Sequence, residues 1–191
     1  MAVDSTYLPA WATRPPPGAA EAFLAAAARA RPDIAPDADC ELRRIGRDAA
    51  TTLRIFDLIR IGDKRGTFTL PWIVERTGGA PPAVGRLLVL LDAEGRPTLL
   101  LRITRVGSAI FGQVTAEDTA VDGSPVRDPA VWVPLHTEYW NDLLAPFGLA
   151  VTPDMPFWIE EFELVYDADA NGAPAAGRLP AARQPSVTSS R

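Results

Sequence analysis

The chain has one cysteine, one histidine and one lysine among its 191 residues. A lone Cys40 leaves nothing for an internal disulfide. One cysteine and one histidine also fall short of the three or four ligands that Cys/His zinc sites need, so no metal is expected. No apolar run reaches the roughly 18 residues of a membrane-crossing helix, and no membrane partner is expected. The start, Met1-Ala-Val-Asp-Ser, lacks the basic segment and apolar stretch of a secretion signal. With the unpaired cysteine this favours a reducing, cytoplasmic setting. A glycine-rich phosphate cradle, a nucleophile elbow and paired histidines are likewise missing, so no cofactor is expected. The net charge of −5 argues against a uniformly basic coat for nucleic acid.

Arginine supplies 18 of the 19 basic residues, which makes Lys64 conspicuous. A single lysine in an arginine-rich chain is either an ordinary surface charge or a site that needs a compact, deprotonatable ammonium. The apolar fraction of 47 % and the length fit one globular domain with extensions.

Residues 1–18 carry Pro9, Pro15, Pro16 and Pro17 and read as an extended arm that Trp11 pins to the body. Ala19 to Arg31 is an alanine-rich helix stopped by Pro32, and a connector leads on to about residue 46. Leu53, Phe56, Leu58 and Ile59 recur at helical spacing and predict a second amphipathic helix ending near Gly62. The period then changes. Thr67 to Val74, Arg86 to Asp92 and Thr98 to Val106 read as strands, the last two joined as a hairpin by Ala93-Glu94-Gly95-Arg96. A short segment at Ile110-Phe111 and a closing strand, Phe157 to Tyr166, bring the number to about five. Between them Asp128-Pro129 opens a helix running to about Leu144, with Pro134 anomalous inside it. Residues 168–191 hold little to bury and read as a disordered tail. The pattern predicts an α+β domain built as a small, mostly antiparallel β-barrel with flanking helices.

Three groups of residues carry candidate chemistry. In Gly62-Asp63-Lys64-Arg65-Gly66-Thr67-Phe68-Thr69 a tight turn brings Lys64 and Thr67 to one side of a concave surface, where a desolvated lysine would activate the Thr67 hydroxyl. The alternative is a solvated loop followed by ordinary strand-forming threonines. Trp132, His136 and Trp140 form one stripe of a helix, which reads first as packing. Asp122-Gly123 reads as a turn. On the last strand Glu160 and Glu161 face opposite ways, so one points inward and needs a basic partner, with Arg65 and Arg102 as candidates.

Order and spacing over residues 47–167 resemble an ASCH domain, a PUA-like β-barrel family linked to RNA. The resemblance rests on Gly62-Asp-Lys64-Arg-Gly-Thr67, on Val84-Gly85 leading into the hairpin that ends in RITRV, and on Asp122-Gly123 followed by Trp132, His136 and Trp140. The closing strand Pro156-Phe-Trp-Ile-Glu160-Glu161-Phe162 matches too. It implies a cleft for RNA or a modified nucleoside. Some bacterial relatives are amidohydrolases of N4-acetylcytidine, which would make Thr67 the nucleophile, Lys64 its base and Asp122 the carboxylate; others have been described as RNA-binding domains or ribonucleases. The chain departs from the family at Asp122, where Glu is usual, and at Glu161, where Arg is usual.

A binding module for RNA or a nucleoside is the first reading. It is favoured by the net +4 between Arg43 and Arg65 and by Phe68 and Trp72 beside the cleft, with Arg65 and His136 as further ligand contacts. An amidohydrolase acting on N-acylated cytidine derivatives is the second, and a scaffold with a vestigial cleft the third.

Overall fold

The computed structural model describes residues 3, 4, 8, 12–35 and 40–170. Its element order is β1 (Val3–Asp4), α1 (Ala19–Ala30), β2 (Cys40–Arg43), α2 (Ala49–Arg60), β3 (Gly66–Thr69), α3 (Pro71–Thr77), β4 (Leu87–Leu91), β5 (Pro97–Ile110), α4 (Ala116–Thr119), α5 (Pro129–Leu144) and β6 (Pro156–Asp167). The strands form one sheet in the order β1-β2-β4-β5-β6-β3. The two pairings at the β1 end are parallel, and the other three are antiparallel.

The sheet has a helix on each face of its centre, which explains why all of Leu87–Leu91 is buried: a strand covered on both sides has no solvent face to mark with polar residues. Leu87, Val89 and Leu91 meet Ala20, Phe23, Leu24 and Ala27 of α1. Leu88 and Leu90 point the other way, onto Phe56 and Ile59 of α2. A third core gathers Leu70, Trp132, Trp140, Leu144, Phe157 and Ile159, seating α5 against β3 and β6. Both long helices beside the site start on aspartate caps. Asp48 accepts from the Thr51 amide at 2.7 Å, and Asp128 from the Ala130 amide at 2.9 Å with Pro129 following.

Among the described residues the sheet is open, which corrects the barrel expectation. The β1–β2 ladder ends at Glu41 and β3 pairs only with β6, so no backbone ladder closes the ring. Side chains bridge the gap instead. Arg43 at the end of β2 donates to Thr69 on β3 at 3.2 Å and to Glu160 on β6 at 3.0 Å.

Four further expectations change. The strand expected over Thr67–Val74 stops at Thr69, because Pro71 lacks an amide hydrogen for a ladder and its fixed φ suits the first position of α3. Ile110 ends β5 rather than forming a separate strand. Leu53 is 58 % exposed, and Thr52 takes the inward position on α2. Ala168 and Asp169 are held, by the Thr98 carbonyl at 3.0 Å and by Arg60 at 2.8 Å; the rest of the predicted tail, from residue 171, lies outside the described residues, as does Trp11.

Candidate functional site

Lys64 is placed by the end of α2. Its amide and that of Asp63 both bond the Leu58 carbonyl, at 3.0 and 2.9 Å, and Gly62 takes the left-handed conformation (φ 74°) that reverses the chain. The turn is then tied to the loop before α5. The Arg65 amide donates to the Val121 carbonyl at 2.8 Å, and Asp63 accepts from the Ser124 amide at 2.8 Å and from Arg127. Gly66 lets the two segments touch, since a Cβ there would sit 2.5 Å from Val121 Cγ2. This seam carries Asp122 to Lys64. The Nζ donates to Asp122 Oδ1, which also accepts the Gly123 amide at 2.8 Å. Both residues are buried, at 5 % and 6 % exposure, so this is a charge pair removed from bulk water.

The pair lines a cavity of about 820 Å³ between α2, α5 and β3. Thr67, Phe68 and Thr69 of β3 line it as well, as do His136 and Tyr139 of α5. The Lys64 Nζ lies 5.9 Å from the centroid of the Phe68 ring. No hydrogen bond joins Lys64 to Thr67 among the described residues; the Lys64 ammonium is held by Asp122.

His136 stacks on Trp132 at 3.9 Å and meets the Phe68 and Trp140 rings edge-on at 5.4 and 5.1 Å. Its Nδ1 lies 3.0 Å from the Trp132 carbonyl, one turn back along α5. A carbonyl only accepts, so Nδ1 carries the hydrogen. Burial lowers the His136 pKa to about 4, with Asp122 opposing and Lys64 adding to the shift. The ring is therefore neutral at pH 7, with Nε2 as an acceptor. Burial pushes the Tyr139 phenol above its ordinary value, against the nearby Arg43, Arg44 and Arg47.

Beneath this wall lies a second buried polar group, of which the sequence marked the inward glutamate but not its partner. Glu160 is fully buried and bonds Arg43 and the Thr69 hydroxyl. Arg43 also donates to Glu41 at 2.7 Å. Burial opposes the charge on Arg43, but Glu160 and Glu41 outweigh it and raise its pKa. Burial raises the Glu41 carboxyl too, more than Arg43 lowers it. Glu160 thus does face inward, but its partner is Arg43. Arg65 is exposed, and Arg102 binds Asp33 at 2.7 Å and Glu163 at 3.2 Å. Glu161, on the opposite side of β6, pairs with Arg105.

Of the residues singled out in the sequence, Lys64, Thr67, Phe68, Asp122 and His136 share the cavity. Arg65 and Trp72 do not line it. Trp72 packs half-buried on the α5 core. Arg43, Thr69 and Tyr139 are lining residues that the sequence left unmarked. At the mouth Arg47 pairs with Glu138 at 2.6 Å and Asp142 at 2.5 Å, and Arg54 is exposed.

The architecture is similar to two solved structures. An ASCH domain from Lactobacillus crispatus superposes with a TM-score of 0.60 at 26 % identity, over 65 % of this chain and 78 % of that one. A protein from Enterococcus faecalis matches with a TM-score of 0.57 at 21 % identity, over 70 % and 80 %, and shows the same fold. No curated protein matches significantly. The ASCH domain model matches residues 44–166, which spans both walls of the cavity, the Lys64 turn and the Arg43–Glu160 clasp apart from Arg43 itself; the chain belongs to the ASCH domain family.

Proposed function

We propose that the cavity binds a single nucleobase, carried by a free or modified nucleoside or by an unstacked RNA residue. The observation that carries this reading is the buried Lys64–Asp122 pair set beside Phe68, His136 and Tyr139 in a cavity of about 820 Å³. A nucleobase has an apolar face and an edge of donors and acceptors. Aromatic side chains suit the face, and a buried ammonium with spare N–H groups beside a carboxylate suits the edge. The size lies within the range of small-molecule pockets. Arg47 and Arg54 at the mouth, and Arg65 on the turn outside it, are the candidate phosphate contacts if the base belongs to RNA. The resemblance of the motifs to an RNA-linked family points the same way.

The test is calorimetric titration with nucleosides and short single-stranded RNA. The wild type is expected to bind saturably. The double variant Lys64→Met/Asp122→Leu, which removes both charges together, is expected to lose binding while remaining folded. No heat from any nucleoside or RNA at low salt refutes the reading.

A second reading, hydrolysis of an N-acylated cytidine, is favoured by Thr67 lining the cavity that holds the Lys–carboxylate pair. In it the Thr67 oxygen attacks the acyl carbon, and a Lys64 amine takes the hydroxyl proton and returns it to the departing amino group. Water then cleaves the ester. Lys64 has first to pass a proton to Asp122, and its ammonium is engaged there rather than at Thr67, which is why binding is placed first. Release of cytidine from N4-acetylcytidine, abolished in Thr67→Val, would support hydrolysis; unchanged turnover in that variant would remove Thr67 as the nucleophile.

A further inference from the structure

The aromatic end of the cavity presents one acceptor in a fixed orientation. His136 is enclosed by Trp132 on one face and by the edges of contact with Phe68 and Trp140, and it is 8 % exposed. Its Nδ1 hydrogen is spent on the Trp132 carbonyl at 3.0 Å. Nε2 has no hydrogen-bond partner among the described residues and is not sealed off from the cavity that His136 lines. The lone pair of Nε2 is therefore open to a ligand, and turning the ring over would break the Nδ1 bond.

We infer that His136 Nε2 is a specificity determinant that accepts a hydrogen bond from an N–H on the edge of the bound base, beside the donor supplied by Lys64. The ligand class is a heterocycle with an N–H next to an acceptor, as in an amide or amidine edge. This rests on the nucleobase reading and sharpens it. Lys64 and His136 line the same cavity beside Phe68, with the Lys64 Nζ 5.9 Å and the His136 ring 5.4 Å from the centroid of the Phe68 ring, so a donor and an acceptor of the protein face one space. A base edge with the complementary order satisfies both. A base whose N–H is replaced by a methyl group leaves Nε2 desolvated and unpaired.

The test pairs ligands that differ in that hydrogen: cytidine with N4,N4-dimethylcytidine, and uridine with 3-methyluridine. Calorimetry on the wild type is expected to give about a tenfold weaker binding for the methylated member of at least one pair. In His136→Phe, which has no acceptor, the two members should bind within about twofold of each other. A methyl clash with the walls would instead persist in the variant and overturn the assignment. If His136→Phe does not fold, nitrogen-15 NMR of wild-type His136 decides the matter. The pyridine-like Nε2 resonance should move on binding the N–H ligand and stay in place with its methylated partner. Movement with both or with neither overturns the inference while leaving the nucleobase reading intact. Absence of binding by all four ligands removes both.

Discussion

Lowering the pH should destabilise the fold through His136, and the amount follows from its surroundings. In the unfolded chain the imidazole titrates near 6.5; in the fold burial holds it at about 4. Between those values the unfolded chain binds the proton and the folded one does not, so stability rises with pH across the window. The contribution is complete above about pH 6.5 and is lost as the pH falls to about 4. A shift from 6.5 to about 4 corresponds to about 3 kcal/mol. Acidic groups titrate in the same range, and Glu41, raised by burial, acts with the opposite sign. Asp63, lowered by the Ser124 amide and by Arg127, acts with the same sign. The comparison that isolates the histidine is urea unfolding of the wild type and His136→Phe at about pH 7 and about pH 4.5. The wild type should lose roughly 2–3 kcal/mol more than the variant over that interval. Parallel pH profiles would mean that the ring is already charged or solvated in the folded protein, and the acceptor role of Nε2 would fall with it.

Other expectations concern the packing that builds the site. Lys64→Met alone leaves Asp122 buried without its cation and should cost about 3–5 kcal/mol, whereas adding Asp122→Leu should recover most of that loss in denaturant melts. Arg43→Met leaves Glu160 without its cation and Glu41 with Arg86, at 3.5 Å, and should cost at least as much in the same assay; a loss below about 1 kcal/mol would show the clasp to be incidental. Gly66→Ala should destabilise by about 1–3 kcal/mol, because its Cβ meets Val121 at 2.5 Å and the Glu160 carbonyl at 3.0 Å.

Much of the fold was legible because its signals are local. The alanine run before Pro32, the Asp128-Pro129 start and the four-residue hairpin loop each announce their element within a few residues. The elements that were missed depend on distant partners. Cys40–Arg43 is a short strand with two charges, and it is buried because Glu160, remote in sequence, neutralises Arg43. Helix α3 was masked by the β-forming residues of Thr67–Val74, although Pro71 carried a usable helix-start signal. In the site, Lys64 stood out by composition, while Asp122 was singled out only through the family resemblance. Their contact spans 58 positions, and nothing in the turn sequence Asp122-Gly123 signals burial.

The central claim is that this cavity, with the Lys64–Asp122 pair in its wall, is where a nucleobase sits. Proton–nitrogen NMR of the labelled protein, titrated with cytidine, tests it directly. The account predicts saturable shifts concentrated at Lys64–Thr69, Asp122–Gly123 and His136–Tyr139. Saturable shifts confined to the face of α1, or none at all, would contradict it.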